Sequence, residues 1–177
     1  MGSPAIPARQ GGHRHPTGLL RFNVAPPGVV EELLLGCCGS RRWAERVAAH
    51  RPYPTLDALL AAADEAGYDL SRADLDEALS GEESAASTSL HPHAPPAAHT
   101  ALRAAHGAYE SRFGHAFVIS LDGVRPDERL DQVLAALRSR LGNERDEERA
   151  ITADELRRLA RARLVQLVSH QNLSAMR

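Results

Sequence analysis

Val29-Val30-Glu31-Glu32-Leu33-Leu34-Leu35-Gly36-Cys37-Cys38-Gly39-Ser40-Arg41-Arg42-Trp43 compresses a helix, a stop and a second helix start into one stretch. Val30, Leu33, Leu34 and Cys37 recur at the spacing that puts side chains on one helical face. That predicts a helix from about Val29 to Cys38. Gly39 reads as its C-terminal stop. Ser40 then restarts the chain into a second helix carrying Trp43, Val47 and Ala48. Arg51-Pro52 closes it, because a proline pushes the preceding residue out of helical backbone.

The same grammar extends along the chain. Thr55 is an N-cap for a helix whose apolar stripe is Leu56, Leu59, Leu60 and Ala63. Ser71 with Asp74 reads as a capping box before Leu75, Ala78 and Leu79. A long helix is expected from about Ala97 to Phe113, with Leu102, Ala105, Tyr109 and Phe113 inward and Gly114 ending it. Asp127 reads as the cap of a helix carrying Leu130, Val133, Leu134, Leu137 and Leu141. Thr152 with Glu155 reads as a second capping box, for a last helix with Leu156, Leu159, Leu164 and Leu167. Phe117-Val118-Ile119-Ser120-Leu121 is a lone apolar run, a buried strand or an extended wall, and one run makes no sheet. The expected fold is all-α, a single helical bundle of about seven helices. Residues 1–18 read as a disordered tail, 19–170 as the domain with a flexible loop at 81–98, and 171–177 as a C-terminal tail.

Composition sets the outer limits. The 177 residues are 43% hydrophobic and 25% charged, ordinary for a globular chain, but only 4% aromatic. Leu, Ala and Val are therefore expected to supply most of the core. A formal net charge of -2, with no basic stripe among aromatics, argues against nucleic acid as partner. Every basic side chain apart from histidine is arginine, and no lysine occurs. Schiff-base chemistry and a lysine-bearing phosphate loop are thereby excluded. Cys37 and Cys38 are neighbours inside an apolar run and read as buried free thiols of a reducing compartment. No apolar stretch reaches a membrane span, and no signal-peptide centre is seen, so the expected location is cytoplasmic.

The histidines raise a metal reading. His91, His93 and His99 crowd the Pro-rich segment and His106 follows, yet no HExxH or CxxC spacing accompanies them. They are read as solvated loop histidines, with no metal. A nucleophilic hydrolase is not supported either, because no GxSxG occurs. Residue chemistry alone stops at a helical domain.

Several motifs occur together in order: Leu20-Arg21-Phe22-Asn23; Cys37-Cys38-Gly39-Ser40-Arg41-Arg42-Trp43; Arg51-Pro52-Tyr53; Tyr109-Glu110-Ser111-Arg112-Phe113-Gly114; Phe117-Val118-Ile119; Arg140-Leu141-Gly142-Asn143; and Glu155-Leu156 with Arg161-Ala162-Arg163-Leu164. Over roughly residues 19–168 the chain resembles the 2-oxo-4-hydroxy-4-carboxy-5-ureidoimidazoline (OHCU) decarboxylase family of urate breakdown. The resemblance implies an all-α homodimer without metal or organic cofactor, which converts that small-molecule substrate to (S)-allantoin and carbon dioxide.

It also implies site residues. Family members use a His-Pro dipeptide for the proton and a Ser-x-x-Glu-Gln segment that orients it and grips the ureido group. The stretch Leu79-Ser80-Gly81-Glu82-Glu83-Ser84-Ala85 resembles that segment, with Glu83 at the Glu position and Ser84 in place of Gln. Ser80 and Ser84 are thus substrate-binding candidates and Glu83 a catalytic one. The wall that offers backbone hydrogen bonds maps onto Phe117, Val118, Ile119, Ser120 and Leu121. Arg163 matches the arginine of the last helix, whose fork suits a planar carboxylate. The His-Pro expected after Asp76-Glu77-Ala78-Leu79 is missing. The His-Pro dipeptide His91-Pro92 lies beyond Glu83, which makes His91 the candidate donor.

Overall fold

The computed structural model describes residues 17–82 and 96–169. Among these residues the fold is all-α, with eight helices and no strand. They are α1 (Thr17–Val24), α2 (Pro27–Cys37), α3 (Arg41–Ala49), α4 (Leu56–Tyr68), α5 (Arg72–Ser80), α6 (Pro96–Phe113), α7 (Arg129–Arg140) and α8 (Arg145–Ser169). None is long and apolar enough to cross a membrane.

Two apolar clusters organise them. The larger joins α1 to α5 and the C-terminal half of α8, around Phe22, Leu34, Trp43, Val47, Leu59 and Leu164. The smaller joins α6 and α7 through Leu102, Tyr109, Phe113, Phe117, Val133 and Leu137. Burying side chains of this size favours folding by about 1.5–3 kcal/mol each. The scarce aromatics are concentrated here: Phe22, Trp43, Tyr53, Tyr109, Phe113 and Phe117 are all buried. The Trp43 indole N–H donates to the Ala63 carbonyl at 2.9 Å, tying α3 to α4.

The capping signals at Thr55 and Ser71 hold, and Ser40, where the second helix was expected to start, caps it as well. Ser40 Oγ accepts from the Trp43 amide at 3.3 Å and Thr55 Oγ1 from the Ala58 amide at 3.1 Å. Ser71 and Asp74 form the reciprocal box, at 3.3 and 2.9 Å. Two separated motifs also meet. Asn23 and Tyr53 exchange side-chain–backbone hydrogen bonds at 2.8 and 2.9 Å, while Arg51 donates to the Phe22 and Ala25 carbonyls at the end of α1.

Other expectations are corrected. Thr17 and Gly18 belong to α1 rather than to a tail, because Leu19 and Phe22 bury one face of that short helix. Helix α2 begins at Pro27, a residue whose missing N–H is harmless in a first turn. Gly39 is not a left-handed stop: Cys38 already turns extended, and Gly39 has no positive φ. Its small size matters instead because an added Cβ would lie 3.2 Å from the Ala78 carbonyl of α5. Gly114 does end α6 as expected, at φ +79.

Asp127 does not cap α7, which starts at Arg129 with Glu128 before it and no side-chain cap bond; the Asp127 carboxylate instead lies 4.0 Å from Arg125. Thr152 caps nothing either. It is fully buried within α8, a helix that starts seven residues earlier at Arg145 behind an acidic first turn. Its hydroxyl accepts from Arg140 at 3.1 Å, so internal partners replace the cap. The tails at 1–16 and 170–177, and residues 83–95 of the expected loop, lie outside the described residues.

Candidate functional site

The run after Gly114 forms neither helix nor ladder. Its side chains alternate with a period of two: Phe117, Ile119 and Leu121 pack with the smaller cluster, while Val118 joins the larger one. Two backbone groups are pinned. The Val118 carbonyl accepts from Arg140 Nη1 at 2.7 Å, and the Ser120 amide donates to Glu155 Oε2 at 2.8 Å. The wall is therefore clamped between α7 and α8.

Arg140 belongs to a buried polar knot that residue spacing did not reveal. Glu148, with no exposed surface, accepts from Arg140 Nε at 2.8 Å, from the Tyr109 hydroxyl, and from Asn143 Nδ2 at 2.9 Å. The Arg140 guanidinium also lies over the Phe117 ring, 4.5 Å from its centroid. Burial, followed by the bond to Glu148, pushes the Tyr109 hydroxyl far above its usual pKa. The knot ties the Tyr109, Arg140–Asn143 and wall motifs into one unit.

At the other end of α8, Arg163 meets a residue the sequence reading passed over. Its Nη1 and Nη2 donate to the two oxygens of Glu82 at 2.6 and 2.9 Å, a fork-to-fork pair. Nη1 also donates to the Cys37 carbonyl at 3.0 Å. The Glu82 side chain is 5% exposed and that of Arg163 28%. Hydrogen bonding to Glu82 is the strongest influence on Arg163 and holds it more firmly protonated, against the effect of burial. The signal for Glu82 was present: Leu75, Ala78 and Leu79 are the buried face of α5, and 82 continues that register.

Cys37 and Cys38 line the same neighbourhood as buried free thiols. Burial pushes the Cys37 thiol up to about 11, only partly opposed by Arg163, and raises Cys38 as well. At pH 8 the Cys37 thiolate fraction is then about one in a thousand. Titration with Ellman's reagent should find both thiols at least a hundredfold slower in the native protein than in denaturant. Fast native reaction of either would contradict the burial.

The remaining candidates are spread out. Ser80 is exposed, donates a hydrogen bond from its hydroxyl to the Glu77 carbonyl at 2.7 Å, and lines a cleft of about 410 Å³ with Asp76, His115 and Arg149. Ser120 lines a different cleft, of about 420 Å³, with Arg158, Arg161 and Gln166. Arg163 lines neither. Glu83, Ser84 and His91 lie outside the described residues. No group of three metal-ligating side chains occurs among those described.

Residues 23–165 match the OHCU decarboxylase family. The chain belongs to that family. Two solved structures share the fold of this OHCU decarboxylase family member. One, an OHCU decarboxylase crystallised in the presence of (S)-allantoin, is 24% identical; the match covers 79% of this chain and 99% of that one, with a TM-score of 0.66. The other, an (S)-allantoin synthase, is 20% identical over 84% of this chain, with a TM-score of 0.65. The match spans about half the length of that synthase, 53%. No curated protein matches the chain. In this member of the OHCU decarboxylase family, Arg163 of the last helix carries Glu82 against it.

Proposed function

We propose that this protein decarboxylates 2-oxo-4-hydroxy-4-carboxy-5-ureidoimidazoline to (S)-allantoin in urate breakdown, without a cofactor. Family membership supports the reaction class. The observation that carries the reading is the Arg163 fork, which already grips one carboxylate through both arms and so suits the carboxylate of the substrate. The chemistry asks little more. Holding the carboxyl group out of the plane of the ring lets the carbon–carbon bond break into the adjacent C=N system. Carbon dioxide leaves, the electron pair is taken up by the C=N system, and one proton delivered to one face of the ring sets the configuration. His91 and Glu83 are the proposed donor and orienting groups. Ser80, Ser84 and the backbone of Phe117 to Leu121 are proposed to hold the ureido group. The same reading carries a cytoplasmic homodimer.

One observation favours a second reading. Both arms of the Arg163 fork are filled by a buried side chain, which suits a protein that binds a ligand without converting it. The test is to generate the unstable substrate in situ from urate, with urate oxidase and hydroxyisourate hydrolase, and to follow circular dichroism. Rapid appearance of (S)-allantoin alone establishes the decarboxylase. Racemic allantoin at the uncatalysed rate would favour the second reading.

A further inference from the structure

We infer that Glu82 is a built-in competitor for Arg163: an internal carboxylate that holds the fork closed and that a carboxylated ligand must displace. The inference rests on Arg163 being the ligand-binding guanidinium of the function proposed above.

The geometry has three parts. The last turn of α5 delivers Glu82 inward, its amide donating to the Leu79 carbonyl at 3.1 Å just after Gly81 closes the helix. Its two oxygens then take one N–H from each terminal nitrogen of Arg163, the pair of donors that a bidentate ligand carboxylate would need. Finally, the Cys37 carbonyl holds the guanidinium from another direction, so the fork stays aimed when Glu82 is absent. Two carboxylates cannot share one fork: the same N–H groups would have to serve both, and two like charges would meet in a largely buried place. Ligand binding is therefore an exchange of one carboxylate for another. The native site discriminates against anionic ligands compared with the same fork left open. Neutral ureido rings, which need no fork, bypass the competition.

Orotate and uracil make the probe, since both are planar ureido rings and only orotate carries a carboxylate. Isothermal titration calorimetry of the full chain should show orotate binding at least tenfold tighter to Glu82→Ala than to the unmodified protein, with uracil unchanged. Glu82→Gln keeps the side-chain volume, removes the charge and should give a smaller gain in the same direction. Adding Arg163→Ala to Glu82→Ala should erase the gain. Equal orotate affinity in the unmodified protein and in folded Glu82→Ala or Glu82→Gln would overturn the inference, as would a gain that survives loss of Arg163. The readout is binding rather than turnover. A gain in orotate affinity alongside racemic allantoin would therefore remove the decarboxylase reading and leave the gate standing.

Discussion

Glu148→Ala should lower the melting temperature by about 10 °C. The carboxylate is fully buried and serves Arg140, Tyr109 and Asn143 together. Removing it leaves a guanidinium that is only 6% exposed without its counter-charge, and a buried hydroxyl without its acceptor. Breaking one side of a buried ion pair costs about 3–5 kcal/mol, and in a domain of this size each kcal/mol moves the transition by roughly 2–4 °C. Glu148→Gln keeps an acceptor oxygen but not the charge, so its loss should be intermediate. The measurement is a thermal melt followed by far-ultraviolet circular dichroism. A drop of less than about 3 °C for the alanine variant would mean that the knot does not hold the two clusters together.

Arg163→Ala should reduce kcat/KM for the ureidoimidazoline at least a hundredfold, about 2.7 kcal/mol of transition-state stabilisation. The same change should also destabilise the fold, by about 2 kcal/mol, because Glu82 would stay buried with no partner. The two effects separate in the double variant. Removing Glu82 as well takes away the orphaned charge and should return most of the stability, while the reaction stays slow because the fork is gone. Denaturant melts and the coupled assay, run on the same preparations, report both. Full activity in Arg163→Ala would end the role proposed for this arginine. Arg163→Lys should not rescue it, since an ammonium cannot offer two parallel donors to one carboxylate.

The elements most legible in the sequence were those fixed by local rules. Ser40, Thr55 and Ser71 cap helices because a short oxygen-bearing side chain reaches the amide three residues on, whatever the tertiary surroundings. The apolar registers of α4, α5 and α6 could be read for the same reason. Thr152 shows where local reading fails. Its Thr-x-x-Glu spelling is that of a cap, but its hydroxyl accepts from Arg140 and Glu155 reaches the Ser120 amide. Both partners are distant in sequence, and nothing within a window of four residues signals them. Helix α1 was obscured by Gly18 beside the Pro-rich start, although Leu19 and Phe22 already carried its buried face.

The site divides along the same line. Arg163 was singled out through its motif, and the Phe117 to Leu121 run through its apolarity, with a binding role for either implied by the resemblance alone. Glu82 was passed over because two glutamates stand together and only the helical register of Leu75, Ala78 and Leu79 tells which one turns inward. Arg140 and Glu148 were missed because a buried salt bridge between two elements leaves no periodic trace. Each looks like a surface charge until the other is placed beside it.

Helix α8 has a consequence for how the proposed site can change. Glu155, which holds the wall at Ser120, and Arg163, which carries the fork, stand on one continuous helix. The eight residue steps from one to the other set a spacing of about 12 Å along the axis. That spacing is a ruler marked in helical turns. Lengthening it by one residue would add only about 1.5 Å but would swing Arg163 by roughly 100° around the axis, away from Cys37 and Glu82. The reach of the proposed site is therefore quantised, and a ligand of different size would be accommodated by exchanging side chains at the two marks rather than by adjusting the distance between them.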